Sequence, residues 1–294
     1  MRDFIHKNSL LSMHLIVILL GFTGILGKLI DSGSTVLVWY RMLIAFVFLL
    51  LYICVKSNFE ISRKNFVQLL GIGFVVAAHW LFFFESIKVS NVSVAVVCMG
   101  TSSLFSTFLE PLILKRKIEA RELILSIVVL FAISLALKAD FTYVLGFVYG
   151  IIAAFLATLF TILNAMYVNK VSAEKITLIE MLGGFLMISI YLLFSQDFNF
   201  NELNVSLKDI MYLILLGGIC TSFAFVVSVE VMKFLSPYNV IMAVNLEPLY
   251  SVLLALLIFG ESENMNLSFY IGGVLIIGAV SIDAYLKKNN KKKK

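Results

Sequence analysis

The sequence predicts an all-α membrane protein with ten transmembrane helices, arranged as two inverted repeats of five helices each. Three observations support this fold class: the composition, a series of ten long apolar runs, and an internal similarity between the two halves of the chain. Of the 294 residues, 61% are hydrophobic and 14% are charged, whereas a soluble domain averages about 45–50% apolar and about 25% charged residues. The composition therefore excludes a water-soluble globule, a disordered chain and a coiled coil.

The cysteines and the net charge exclude two further kinds of protein. Cys54, Cys98 and Cys220 lie inside apolar runs, where cysteine serves as a small apolar residue, so we predict no disulfide, no metal site and no cofactor. The net charge is +5, and six of the 23 Lys and Arg residues lie between Lys287 and Lys294. Such a basic tail suits an anionic membrane surface, so we expect the lipid bilayer, and not nucleic acid, as a partner.

Ten runs of the sequence are apolar enough to form membrane-spanning helices, and no break between them could hold a second folded domain. A bilayer core about 30 Å thick needs roughly 20 apolar residues of helix. The predicted helices are Leu11–Ile30, Val36–Val55, Phe66–Phe84, Val92–Leu114, Leu123–Leu137, Val144–Val168, Ile176–Ser195, Ile210–Met232, Tyr238–Phe259 and Ser268–Leu286. The first lacks a small-residue cleavage site, so we interpret it as a retained helix rather than a signal peptide.

Lys and Arg are unequally distributed between the two sides that ten helices define. Eighteen fall on the side of the N-terminus, the even-numbered breaks and the C-terminus, and four fall on the other side. Loops rich in Lys and Arg stay in the cytoplasm. We therefore predict a multi-pass protein with both termini in the cytoplasm.

Short segments recur in the same order in the two halves of the chain. The matching pairs are Tyr40–Phe46 with Ile179–Phe185, Glu85–Lys88 with Glu230–Lys233, and Leu104–Ser106 with Leu249–Ser251. The first pair is offset by 139 residues and the others by 145, so we predict about six extra residues in the second half, in the loop Gln196–Asp209. The chain then divides into repeats at 11–138 and 144–286, followed by a basic cytoplasmic tail at 287–294.

Each repeat holds five helices, and because five is odd, the second repeat enters the membrane upside down relative to the first. Inverted repeats of this kind are typical of secondary transporters, whose substrate site lies near the middle of the membrane between the repeats. Two inverted, nearly equivalent halves can exchange conformations, which turns a cavity open to one side into a cavity open to the other.

Several loose motifs carry a resemblance to a known family. They are Gly21–Gly24, Trp39–Arg41, Asn245–Leu249, Phe259–Glu261 and Gly272–Gly278. With them the chain resembles, over its whole length, the EamA-type family of the drug/metabolite transporter superfamily. The resemblance implies a ten-helix transporter of the inner or plasma membrane, often an exporter of amino acids or other metabolites. It also implies a central cavity lined mainly by the first, third, fourth, sixth, eighth and ninth helices.

The chain departs from the family pattern in two places. The position equivalent to Pro248 in the first repeat is Ser103, and the nearest proline, Pro111, comes later. The smallest relatives couple transport to protons through an acidic residue in the first helix, but neither the first nor the sixth predicted helix has an acidic residue. That coupling mechanism is therefore not carried over to this chain.

Glu247 is the clearest candidate for a functional residue, because it lies about ten residues into the ninth predicted helix. An ionisable group at that depth costs about 2.5–3.5 kcal/mol on insertion scales. Pro248 follows it and is expected to break the helix and free backbone carbonyls, and Asn245 lies two residues earlier. This combination suits a cationic or amino group or a coupling proton. The alternative is a packed kink in which Glu247 is protonated or paired.

Arg41 and Glu180 occupy equivalent positions in the two repeats, about five residues below opposite membrane surfaces. Arginine there could bind a carboxylate through two parallel hydrogen bonds, so the pair could form gates or contact the substrate. Opposite charges at equivalent positions could equally make two structural ion pairs.

His79, beside Trp80 and a run of phenylalanines, lies near the middle of the third predicted helix. It is a candidate for substrate contact, with simple packing as the alternative. Ser102 and Thr221 are weaker candidates in the fourth and eighth helices, because hydroxyl groups in helices often bond to their own backbone.

The sequence favours a secondary transporter of a small molecule over an enzyme or a channel. The only histidines are His6, His14 and His79, and no motif combines a nucleophile with a base, so we predict no enzymatic activity and no catalytic residues. The remaining alternative is a channel-like or structural membrane partner without coupled transport. The sequence gives no oligomeric state.

Overall fold

The structure is a computed structural model of the chain, and it describes residues 5, 7–56, 60–139, 141–195 and 198–292. Within these residues the fold is all-α. The helical segments in chain order are α1 Ser9–Leu29, α2 Ser34–Lys56, α3 Arg63–Val89, α4 Val92–Leu114, α5 Ala120–Ala139, α6 Val144–Ala165, α7 Ala173–Phe194, α8 Leu207–Val231, α9 Pro237–Glu263 and α10 Leu267–Lys292. Each overlaps one predicted run. Gln196 and Asp197 of the predicted loop, and Lys293 and Lys294 of the predicted tail, lie outside the described residues.

Among the described residues, eight helices are long and apolar enough to cross a membrane, namely α1 to α4 and α6 to α9. The chain is therefore an integral multi-pass membrane protein, as its composition predicts. The other two helices, α5 and α10, pack against each other. The apolar part of α10 is the shorter stretch Leu267–Ala279.

Helices α4 and α9 are interrupted at equivalent positions. In α4 the helix ends at Met99 and begins again at Ser102, and in α9 it ends at Val244 and begins again at Glu247. Each of these positions in α9 lies 145 residues beyond its counterpart in α4, which is the offset found in the sequence.

The two ends of α4 and α9 correspond as well. Asn91 and Ser236 cap the starts of these helices, each by accepting a hydrogen bond from the backbone N–H three residues later. After their last regular turns, Lys115 and Gly260 have positive φ angles of 55° and 58°. These pairs are again 145 residues apart, so α4 and α9 are two copies of one broken helix.

Between its N-cap and Glu230, helix α8 contains one residue more than its counterpart α3 contains between its N-cap and Glu85. The caps of these helices, Ser62 and Ser206, are 144 residues apart rather than 145. The difference falls in α8, where Leu215–Phe223 is π-helical, because the wider π turn takes up an extra residue. Of the six extra residues, five therefore precede Ser206, where the sequence predicts about six in the loop Gln196–Asp209, and one lies in α8.

Two glycines bring α3 and α7 into close contact. A Cβ added to Gly73 would collide with the backbone of Glu180, and a Cβ added to Gly183 would collide with the backbone of Leu70. A helix backbone cannot move aside as the end of a flexible side chain can. Both positions therefore need glycine, and the contact joins the first half of the chain to the second.

We expect Gly73→Ala to lower the thermal unfolding temperature, because overpacking costs about 1–3 kcal/mol. Gly71→Ala on the same helix is the matched control: a Cβ there meets no described atom within 4 Å, and alanine is the better helix former. The measurement is thermal unfolding of both purified variants in detergent. An equal loss of stability in the two would contradict the packing argument.

Candidate functional site

A cavity lies among α1, α3, α4, α6, α8 and α9, with Arg41 of α2 also in its wall. These six helices are the ones that the family resemblance implies. The cavity reaches Asn164 near the end of α6, Met232 just after α8 and Val240 near the start of α9. Its volume is about 110 Å³, which is room for about four waters at roughly 30 Å³ each or for a small metabolite of similar volume.

At the C-terminal end of α9, Glu263 connects this helix to α1 and α4 by hydrogen bonds. Its buried carboxylate accepts hydrogen bonds from Lys28 Nζ at 2.8 Å and from the backbone N–H groups of Val92 at 3.0 Å and Ser93 at 2.9 Å. Lys28 belongs to α1, and Val92 and Ser93 begin α4. The carboxylate therefore connects α1, α4 and α9 at the end of α9 opposite to Val240.

Arg41 is buried, with 1% of its surface exposed, and its guanidinium group is held in one orientation. Nε donates a hydrogen bond to Thr221 Oγ1 at 2.7 Å, and the group lies over the Trp80 ring at 3.8 Å from the centroid. Among the described residues, Nη1 has no hydrogen-bond partner. A buried guanidinium with a free donor beside a cavity is suited to binding an anionic group.

Glu247 lines the same cavity, so one cavity contains the fixed guanidinium of Arg41 and a carboxyl group. Arg41 and Glu247 are near enough to interact electrostatically, but no ion pair joins them in the described part of the chain. Each group is therefore available to a ligand. A molecule that carries both a carboxylate and an ammonium group would complement the two.

Pro248 lies in the first turn of the second half of α9, where a proline costs no helical hydrogen bond. The break precedes it, at Asn245 and Leu246. Helix α4 has the same break without a proline, since its equivalent residue is Ser103. The first half ends at Val244, four residues before Pro248, where the proline ring would crowd the carbonyl. The break therefore lies where the sequence predicts it, and α4 shows that such a break can also form without a proline.

Asn245 is fully buried and does not line the cavity. Its Nδ2 donates a hydrogen bond to the Gly100 carbonyl at 3.5 Å, so the two helix breaks meet at their equivalent residues. Ser102, which is equivalent to Glu247, does line the cavity, and its hydroxyl donates to Ala154 O at 3.4 Å.

His79 and Trp80 both line the cavity. His79 Nδ1 lies 2.9 Å from the Ala153 carbonyl, and because a carbonyl only accepts hydrogen bonds, Nδ1 must carry the proton. In the neutral ring this leaves Nε2 as the acceptor. The imidazole also packs against Phe160, with 5.5 Å between the ring centroids, so its orientation is fixed by α6.

Thr221 is buried behind Arg41 and is not part of the cavity wall. Its hydroxyl donates to the Leu216 carbonyl at 2.6 Å, five residues earlier in the π-helical segment, and accepts the hydrogen bond from Arg41. The π-helix of α8 therefore places the group that orients Arg41.

Glu180 also lies outside the cavity wall, although it is equivalent to Arg41 in sequence. It is fully buried in α7, and its Oε2 accepts a hydrogen bond from Asn164 Nδ2 at 3.4 Å. Sequence reasoning missed Asn164, which contacts Glu180 and lines the cavity. The available signal was its position as the single amide side chain within the apolar run Val144–Val168.

Comparison with known proteins gives two findings. A family model described as the EamA-like transporter family matches residues 7–138 and, a second time, residues 144–282. One solved structure, a crystal structure of a protein, aligns with 95% of this chain and 98% of its own, with a TM-score of 0.71 and 13% sequence identity. At that identity the likeness shows the fold alone. No curated protein matches the chain.

Proposed function

This chain belongs to the EamA-like transporter family, and on that premise we propose that it is a secondary transporter that exports a small zwitterionic metabolite, such as an amino acid, by alternating access. The single observation that carries the substrate class is the presence of Arg41 and Glu247, opposite in charge and not paired with each other, in one cavity. In this proposal the protein is not an enzyme.

The cavity supports one orientation of such a substrate. Arg41 binds the carboxylate with its free donor, since the planar guanidinium matches carboxylate geometry, and Glu247 binds the ammonium group. The side chain of the substrate lies against the aromatic wall, which includes Phe83, Phe160 and Phe225. His79 Nε2 is available to accept a hydrogen bond from a polar substrate group.

Alternating access is supported by the two copies of the broken helix. We propose ten membrane crossings, in two inverted repeats at 11–138 and 144–286, with both termini cytoplasmic. In that orientation the cavity lies towards the cytoplasm, and the hydrogen bonds of Glu263 close its outer end. For export, the hydrogen bonds of Glu263 break so that the cavity opens to the outside, and the helix ends around Asn164 and Val240 move together so that it closes to the cytoplasm.

We expect topology reporters to place residues 198–206 outside and residues 60–62 in the cytoplasm. The expectation follows from the excess of Lys and Arg on one side, because positively charged loops resist translocation. The measurement is the activity of reporters inserted at the two loops. A reversed result at either loop would eliminate the ten-crossing arrangement.

The proposed function is tested by counterflow in proteoliposomes. Vesicles containing the protein are loaded with a mixture of unlabelled amino acids, and the entry of each labelled amino acid is measured in turn. We expect saturable, mutually competitive uptake of at least one of them. Flux that increases linearly with concentration would indicate a channel, and no flux of any zwitterion would contradict the substrate class. Comparison of the metabolites exported by a deletion strain and its parent extends the search for the substrate beyond amino acids.

A further inference from the structure

Glu180 and Asn164 form a buried pair whose hydrogen bonding is incomplete. Glu180 is 0% exposed and Asn164 is 0% exposed, and a single hydrogen bond of 3.4 Å joins Asn164 Nδ2 to Glu180 Oε2. Within the described part of the chain, Glu180 Oε1 and Asn164 Oδ1 both have no partner. If Glu180 is ionised, both of these atoms are acceptors, so neither can satisfy the other.

A proton on Glu180 removes this mismatch. The O–H group then supplies the missing donor, and a carboxylic acid and an amide have complementary pairs of donor and acceptor. An ionised carboxyl without a cation is costly in a membrane interior, whereas a neutral, hydrogen-bonded acid is tolerated.

In the part of the chain that the structure describes, the buried titratable groups on the helices packed against α7 offer no free cation to Glu180. The helices packed against it are α2, α3 and the last part of α8, whose buried titratable groups are Arg41, His79 and Glu230. Each of these is bonded elsewhere. Asn164 of α6 donates the one hydrogen bond that the Glu180 carboxyl accepts among the described residues.

We infer that Glu180, paired with Asn164, is the proton-binding site that couples transport to a proton gradient. This inference rests on the proposed function, and it separates two roles: Glu247 faces Arg41 across the cavity and binds substrate, while Glu180 holds the proton. Asn164 belongs to both places, since it lines the cavity and bonds to Glu180. In one cycle a proton passes from water in the cavity to the Glu180 carboxylate, and returns to water on the other side when the pair separates.

Infrared spectroscopy of the purified protein tests the protonation directly and needs no substrate. We expect a carbonyl stretching band of a protonated carboxyl at neutral pH that shifts in deuterated water, disappears in Glu180→Gln and moves in Asn164→Ala. Glu119→Gln is the control, because Glu119 is exposed and paired with Arg121 on the surface. A spectrum unchanged by Glu180→Gln and by Asn164→Ala would overturn the inference. The second variant keeps the test valid if the first does not fold.

Flux measurements test the coupling, with the labelled amino acid that gives counterflow as the probe. Glutamine at position 180 imitates the protonated acid, because its amide can donate to Asn164 Oδ1, so we expect Glu180→Gln to keep counterflow within about twofold of wild type and to lose its response to an imposed pH gradient. A response equal to wild type would refute the inference. Absence of counterflow in the wild-type protein would instead refute the proposed function.

Discussion

Replacement of Arg41 by alanine is expected to reduce transport about a hundredfold while the protein still reaches the membrane. In the proposed complex Arg41 pairs with the carboxylate of the substrate. Loss of one partner of such a buried, hydrogen-bonded charge pair costs about 2–5 kcal/mol, and each 1.4 kcal/mol is a factor of ten. The guanidinium is the one cationic group among the cavity-lining residues that the structure describes. The measurement is counterflow in proteoliposomes, normalised to the amount of folded protein.

Two further variants separate the charge of Arg41 from its orientation. Arg41→Lys keeps the charge but loses the planar pair of donors, so we expect partial activity with a raised KM. Thr221→Val removes the hydrogen bond to Nε and leaves the guanidinium in place, so a smaller rise in KM is expected.

If Arg41→Ala and Glu180→Ala both lose folded protein, while the remainder transports normally, the two residues are structural and Arg41 does not bind the substrate.

The helices and their grouping could be predicted from the sequence, because long apolar runs and a fixed offset between repeats are both visible there. The π-helix of α8 could not. One extra residue in an apolar run changes neither its hydropathy nor its length in a detectable way, and Leu215–Phe223 contains no proline. The sequence consequently predicts the extra residue in the polar loop before α8, where insertions are common.

The candidate site could be predicted in part. One cavity is lined by five of the predicted residues, Arg41, His79, Trp80, Ser102 and Glu247. Four of them could be predicted because charged and aromatic side chains are conspicuous in the sequence of a membrane helix. The positions of Asn245 and Thr221 behind the wall could not be deduced, because they depend on which face of a broken or π-helical segment turns inward. Asn164 does not stand out in the sequence, because a lone amide in an apolar run resembles a packing residue; only the fold shows that it lies beside Glu180.

Replacement of Glu247 by glutamine is expected to lower counterflow and gradient-driven transport together, by about ten- to a hundredfold at low substrate concentration. The reason is the loss of a charged hydrogen-bond partner for the substrate ammonium, worth about 1.5–3 kcal/mol, in a side chain of nearly the same shape. Ser102→Ala is the matched control, because Ser102 occupies the equivalent position of the first repeat and lines the same cavity without a charge; we expect it to change transport less than threefold.

The same Glu247→Gln proteoliposomes distinguish three roles for this residue. A common fall in both modes indicates substrate binding, as proposed. Loss of gradient-driven transport with intact counterflow indicates that Glu247 itself carries the coupling proton, because exchange requires no net protonation. Unchanged flux in both modes would falsify a functional role and leave Glu247 as a residue of the interrupted helix. Since Glu180→Gln is expected to give the second pattern and Glu247→Gln the first, the two variants measured side by side assign the proton and the substrate to different carboxyl groups.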